Sequence, residues 1–255
     1  MKNVITFLYH EATDEPSSTG FQRSSALPYK HSVREFKRNI DVIVANTLKF
    51  STVYNIESNS TLLTFDDGGK SALDIADYLD KKDIKGHFFI TTGMIGDPCF
   101  LNEKEILDLH NRGHIIGSHS HNHPNVFKSL NKNQMLNEWT KSKSVLEGII
   151  GEEILCCSVP GGDSSNETIR TAISSGYKII FDSEPVLNIR KLDKSLILGR
   201  ICPKSGTKIS KVEAFSQGKG VRSEYLKRRI KVYIKTIIFP LYVKVHNSRK
   251  HEKQS

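Results

Sequence analysis

At 255 residues, 37% of them hydrophobic and 25% charged, the chain has the composition of an ordinary globular protein and the length of one α/β barrel or two small domains, which excludes a fibrous or low-complexity polymer. The net charge of +9 is carried by residues 219–255, where eleven Lys and Arg stand against two Glu, so the rest is close to neutral and any nucleic-acid binding would have to rest on this tail. No nucleic-acid partner is expected.

The chain opens with a short apolar run, residues 4–9, that lacks a small-residue cleavage site; it reads as a first strand and not a signal peptide, and a cytoplasmic location is expected. His10 ends that strand and is a candidate for lining a site, with a structural role equally open. Residues 11–29, containing Pro16, Gly20 and Pro28, form a long loop expected to fold over the active face. Ser32-x-x-Glu35 opens a helix to about Leu48 with Val33, Phe36, Ile40 and Val44 on its buried side. A short strand is expected over 52–56.

Leu62-Leu63-Thr64-Phe65 is a second buried strand, and it delivers Asp66 and Asp67 to a Gly68-Gly69 turn. Alternation sends neighbouring side chains to opposite faces, but a glycine turn at a strand end can bring both carboxyls to one site. Taken alone, Asp-Asp-Gly-Gly is an ordinary turn. A helix over 71–82, a strand over 86–90 and a helix opened by Asn102-x-x-Glu105 follow. Ile115-Ile116 then form another strand end, followed at once by His119 and His123. Five of the ten histidines fall between 110 and 123. Pro124 disfavours the helical conformation for His123, so the pair is placed on a strand-to-loop turn. Two imidazoles and a carboxylate make a three-ligand site for a divalent transition metal with positions left open.

Thr64-Phe65-Asp66-Asp67-Gly68 and His119-Ser120-x-x-His123 together resemble the first two motifs of the polysaccharide deacetylases with a NodB-homology domain, carbohydrate esterase family 4. The resemblance runs from about Tyr9-His10 to about Arg200. It implies that Asp66 is the catalytic base, that Asp67, His119 and His123 hold a divalent metal, and that Ser120 supports the histidine loop or contacts substrate. Zinc is the first expectation for the metal, with cobalt, nickel or iron as alternatives. The implied fold is a distorted (β/α) barrel of about seven parallel strands, related to the eight-stranded type. The alternation of strands and helices argues independently for parallel α/β architecture: a helix over 131–150 containing Trp139, then strands over 155–159, 178–182 and 196–201.

The later motifs depart from the family pattern. Its R-x-P-x-G reads Ser158-Val159-Pro160-Gly161-Gly162 here, so the arginine that braces the base is replaced by serine while Pro160 and Gly162 remain; backbone N–H groups around Gly161-Gly162 are candidates for stabilising an oxyanion. The Asp-Trp pair has no counterpart. The L-x-H histidine, which protonates the leaving amine, is replaced in Leu198-Gly199-Arg200. Arginine stays protonated and cannot act as that acid. Arg200 can instead substitute for the lost arginine and pair with Asp66, or it can pair elsewhere; the two stand about equal. His10 and Glu184 are the other candidate donors, beside Asp66 itself.

Cys99, Cys156, Cys157 and Cys202 lack zinc-like spacing and are expected reduced and buried. The expected organisation is a catalytic barrel over 1–208 followed by a basic amphipathic helix and tail over 209–255. In that segment Tyr225, Leu226, Arg229, Ile230, Tyr233, Ile234, Ile237 and Ile238 recur at helical spacing until Pro240, with a frayed tail beyond about Asn247. It is too short and too charged to span a bilayer, and either docks on the barrel or makes peripheral contact with an anionic membrane. Three functions remain open: a metal-dependent deacetylase of an N-acetylated glycan, a same-fold hydrolase of a non-sugar amide, and an inactive glycan-binding or scaffolding protein.

Overall fold

The structure, a computed structural model, describes residues 3–162 and 164–237. Ile238, Pro240 and the tail beyond Asn247 lie outside the described residues. In chain order the elements are β1 (Val4–Tyr9), β2 (Glu11–Ala12), β3 (Lys30–His31), α1 (Val33–Ala45), β4 (Ser60–Phe65), α2 (Ala72–Asp80), β5 (His87–Ile90), α3 (Glu103–Asn111), β6 (Ile115–Ser118), α4 (Lys132–Ile150), β7 (Cys156–Ser158), α5 (Asn166–Ser174), β8 (Ile179–Phe181), β9 (Arg190–Leu192), β10 (Ser195–Leu198), α6 (Ile209–Ser216) and α7 (Val221–Ile237).

One sheet runs β1-β4-β5-β6-β7-β8-β10-β9, and its first seven strands are parallel. β9 lies antiparallel on β10. The sheet curls back on itself just past β10: Leu8 N–H donates to the Ile201 carbonyl and Ile201 N–H to the Thr6 carbonyl, both at 2.8 Å. This is the parallel α/β architecture that the strand-helix alternation anticipated and the distorted barrel that the family resemblance implied, with β9 as an added antiparallel strand.

The helices begin where side chains satisfy their orphan N–H groups. Asn102 with Glu105 and Asn131 with Gln134 form complete capping boxes, while Ser32 and Ser165 cap α1 and α5 through one bond each. α1 stops at Ala45, three residues short of the expected end, and Leu48 is 97% exposed. Residues 52–56 are a turn and not a strand; only Val53 of that stretch is buried, and the pairing there falls to an isolated bridge between Phe50 and Thr61. α5, β9 and α6 were not anticipated.

Strand alternation divides the apolar core in two. Val4, Leu62, Phe89, Ile115, Cys156, Phe181 and Leu198 pack together inside the barrel, while Leu63, Phe65, Phe88, Ile116, Cys157 and Ile197 face the helices. Side chains of the inner parity that continue past the last apolar layer must therefore line the mouth of the barrel. They are His10, Asp66, His119, Ser158 and Arg200. Cys156 and Cys157 are free and buried, and burial pushes the Cys156 thiol up to about 12; Cys99 and Cys202, expected buried, are half-exposed.

The segment from 209, expected as a basic amphipathic helix and tail that either docks on the barrel or contacts a membrane, begins inside the barrel's packing. α6 lies on α1, and Val212, Phe215 and Val221 belong to the outer core. Among the described residues no helix is long and apolar enough to cross a membrane.

Candidate active site

The barrel mouth opens into a cleft of about 850 Å³ whose lining includes His10, Asp66, Asp67, His119, His123, Pro160, Gly161, Gly162 and Arg200. Asp66 continues the inner parity of β4. Asp67 would face outward in a regular strand, but its φ of +80 turns it back to the same side. An L-residue in the left-handed region is strained, and it persists only where surrounding bonds hold it.

Asp67, His119 and His123 come together with their candidate ligand atoms all within 4.8 Å of one another. Asp67 Oδ1 stands 3.4 Å from His119 Nε2 and 3.5 Å from His123 Nε2. With zinc bonds of about 2.0–2.1 Å, two ligand atoms of a tetrahedron lie about 3.4 Å apart. The residues fit a divalent cation on two further grounds. Asp67 Oδ1 is buried with no hydrogen-bond partner among the described residues. His119 Nδ1 donates to the Ser158 carbonyl at 3.0 Å, which leaves the Nε2 lone pair facing Asp67. His123 differs, because Arg23 Nη2 lies 3.1 Å from its Nδ1. A guanidinium only donates, so coordination through Nε2 requires Arg23 to move off that nitrogen, and its Nη1 is already bonded to Asn125 Oδ1 at 2.6 Å.

Ser120 does not reach the cleft. It is fully buried at φ +65, its hydroxyl accepts the His123 N–H at 3.1 Å, and its own N–H donates to Ser118 Oγ. Expected either to contact substrate or to support the loop, it does the second. Glu138 completes that support by accepting the N–H groups of His121 and Asn122. Pro124 sits beyond His123, whose φ is +49, so the pair occupies a turn and not a helix.

Arg200 meets Asp66 in a two-pronged pair, Nη1 to Oδ1 at 2.7 Å and Nη2 to Oδ2 at 2.9 Å. Nη2 also donates to Ser158 Oγ at 2.7 Å, and Ser158 donates to Asp66 Oδ2 at 3.0 Å. The guanidinium Nε is held by the Asp182 carbonyl. Serine at the position of the family arginine thus leaves room for Arg200 and bonds both members of the pair. Burial alone would raise the Asp66 carboxyl, yet Arg200 and His119 outweigh it and hold Asp66 below the ordinary carboxylate value. Burial likewise opposes ionisation of Asp67, but His119, His10 and His123 keep it low as well. His119 is raised by Asp66 and Asp67 against its burial, whereas burial and His119 bring His123 down to about 3.

His10 faces the cleft half-buried, its ring 4.6 Å from that of Tyr29, and its Nδ1 has no hydrogen-bond partner among the described residues. Glu184 does not line the cleft; its Oε1 stands 3.7 Å from Arg228 Nε. Of the Pro160-Gly161-Gly162 turn, Pro160 has no N–H and the Gly162 N–H is taken by the Val159 carbonyl at 3.1 Å, so Gly162 is not an oxyanion donor as it stands. The Gly161 N–H is the donor left from the expected set.

Phe21, Arg23 and Tyr29 were not singled out from the sequence, although the loop that carries them was expected over the active face. Phe21 packs on His123 at 4.9 Å between ring centroids, and all three line the cleft. The concentration of Pro and Gly marked the loop but not which of its side chains turn inward.

A curled parallel barrel with a braced carboxylate beside an Asp-His-His cluster at its mouth defines a NodB-type deacetylase architecture. Residues 53–180, half of the chain, match the family model for polysaccharide deacetylases, and the chain belongs to that family. It is 27% identical over 133 residues to a peptidoglycan-N-acetylglucosamine deacetylase of Bacillus cereus, covering 51% of this chain and 46% of that protein. It is 25% identical over 173 residues to the peptidoglycan-N-acetylmuramic acid deacetylase PdaA of Bacillus subtilis, covering 66% and 61%. The chain therefore spans about half the length of these relatives. The structure of IcaB from Ammonifex degensii superposes with a TM-score of 0.70 at 17% identity, over 85% of this chain and 98% of that one; at that identity the likeness is one of fold.

Proposed function

We propose that the protein is a metal-dependent hydrolase that removes N-acetyl groups from an amino sugar of a polysaccharide or its precursor, with zinc at Asp67, His119 and His123. The observation that carries this reading is the Asp66–Arg200 pair, because it keeps a charged base beside a three-ligand cluster even though the family's own bracing arginine is missing. A protein that only bound glycans would have no use for an ionised, oriented carboxylate 3.7 Å from a ligand histidine.

A divalent ion at the cluster supplies Lewis acidity toward the acetamido carbonyl and the attacking water. Asp66 takes the proton from that water, and Arg200 with Ser158 holds the carboxylate ionised and aimed until it does. Gly161 lines the cleft, and its N–H is the donor we assign to the developing oxyanion. The amine must leave protonated. His10 is the donor we assign in place of the absent L-x-H histidine: it lines the cleft with a ring nitrogen that has no partner among the described residues, and Asp67 and Asp66 favour its protonated form against the burial that lowers it, while Glu184 lies outside the cleft.

The deciding experiment is acetate release from N-acetylated glucosamine oligomers by protein treated with a chelator and then reconstituted with zinc. Activity should vanish with the chelator and return with the ion. A non-sugar amide turned over in preference to every sugar would replace the substrate assignment, and no turnover of any amide at one bound ion per chain would end the enzymatic reading. For the proton donor, His10→Gln should lower kcat by about a hundredfold, the usual scale of general acid catalysis, and Glu184→Gln by far less. The reverse order would move the role to Glu184.

A further inference from the structure

The cleft does not end at the Asp66–Asp67 centre. Beyond it stands a wall formed by the segment after β10 and by α7, where Lys204, Lys211, Lys227, Arg228 and Lys231 line the space. Carboxylates are fewer there. Glu224 is shared by Lys211 at 2.9 Å and Lys227 at 3.0 Å, and Glu184 stands 3.7 Å from Arg228. Among the described residues, these five cations stand against Glu224 in the lining and Glu184 outside it, a surplus of three positive charges on that side. The wall is also tied to the reaction centre: the Arg228 guanidinium donates to the carbonyl of Gly162, and Lys204 lies 4.9 Å over the ring of Tyr29, which packs on His10.

A neutral N-acetylated polymer offers hydroxyls and amides, and neither calls for a surplus of ammonium groups. Lysines act on an anion as mobile point charges and arginine forks serve carboxylate and phosphate alike, so it is the size of the surplus that points to phosphate: a monoester carries about two negative charges near neutral pH, against one for a carboxylate. Low-dielectric walls around such a cluster focus its field and concentrate anions in the cleft. We propose that the substrate is an N-acetylated amino sugar carrying a phosphate ester or diester, and that the wall of α7 and residues 204–211 binds that phosphate while the acetamido group sits at Asp66. The proposal rests on the deacetylase reading and names its substrate class. A soluble sugar phosphate and a lipid-linked one share this chemistry; the second has a further point of contact, because Leu226, Ile230, Tyr233 and Ile234 are exposed along α7.

The test compares kcat/KM for acetate release from N-acetylglucosamine 1-phosphate and from its neutral methyl glycoside, using zinc-loaded full-length protein at low and high salt. Calorimetric binding of the phosphosugar accompanies it. The phosphorylated substrate should be favoured by about tenfold or more at low salt, with the preference shrinking as salt rises. Lys227→Ala/Lys231→Ala should reduce the preference, and Arg222→Ala, on the exposed side of α7 outside the cleft, should not. Equal turnover of the two substrates at both salts overturns the proposal while leaving the deacetylase intact. No turnover of either, with phosphosugar binding that the double variant loses, sinks the deacetylase reading and keeps the anion site. A polyprenyl-phosphate-linked sugar in vesicles turned over faster than the soluble phosphosugar assigns the phosphate to a lipid. Binding to phosphatidylglycerol vesicles without any preference for the phosphosugar assigns the cations to a membrane surface and overturns the proposal.

Discussion

Asp66→Asn is expected to lower kcat for acetate release by at least about a hundredfold, with KM little changed and one ion still bound per chain. The substitution is nearly isosteric, and it removes the carboxylate proposed to accept a proton from the attacking water without touching Asp67, His119 or His123. It also leaves Arg200 buried beside a neutral amide, so melting temperature and ion content belong beside the rate. A folded, ion-loaded variant that keeps activity within a few fold would place the base elsewhere. Asp67→Ala separates the two carboxylates, because it should lose the ion as well as the activity.

Arg200→Met should destabilise the protein by about 3–5 kcal/mol, the usual cost of leaving one member of a buried ion pair without its partner. Arg200 and Asp66 are both almost completely buried, so solvent screens the pair little. The pH dependence has a definite sign. In the native protein the Asp66 carboxyl lies below its ordinary value of 3.8, so the stability it contributes is complete above 3.8 and is lost as the pH falls through the lower folded value. Without Arg200 the carboxyl loses the foremost of the charges that oppose its burial and rises from its native position, with His119 and His10 still acting to lower it. The folded variant then binds the proton more tightly than the native protein does, and its stability relative to the native protein falls as the pH rises. Thermal melts across the acid range should show the two proteins converging at low pH and separating above it. The same rise should move the acid limb of any residual activity to higher pH. Ser158→Arg in the Arg200→Met background should restore part of the loss, because Arg200 Nη2 already lies 2.7 Å from Ser158 Oγ. Parallel melting curves at every pH would show that the pair contributes nothing to the charge state of Asp66.

Much of this architecture was legible in the sequence because its rules are local. The capping boxes at Asn102 and Asn131 announced α3 and α4 through side chains three residues apart. Apolar runs bounded by glycine or histidine announced β4, β5 and β6, and the period of two along each strand ties Asp66 to the parity of Leu62, and Arg200 to that of Leu198. The composition of 52–56 misled for the same reason: β-formers there suggested a strand, but no neighbouring edge was available and the segment became a turn. Asp67, by contrast, faces the site only because the chain reverses at φ +80, a reversal the following glycines permit.

The sequence by itself determined that Asp66, His119 and Arg200 reach the barrel mouth and what metal-ligand chemistry the nearby Asp and His can offer, since the first follows from strand period and the second from side-chain type. Tertiary structure alone decided their partners. Nothing local selects the carboxylate that a buried guanidinium will meet 134 residues away, and Arg200 found Asp66 only when the chain after β10 closed on β1. The same closure placed α7 along the cleft, turning a run of basic residues that reads in sequence as a solvated helix face into one wall of the site.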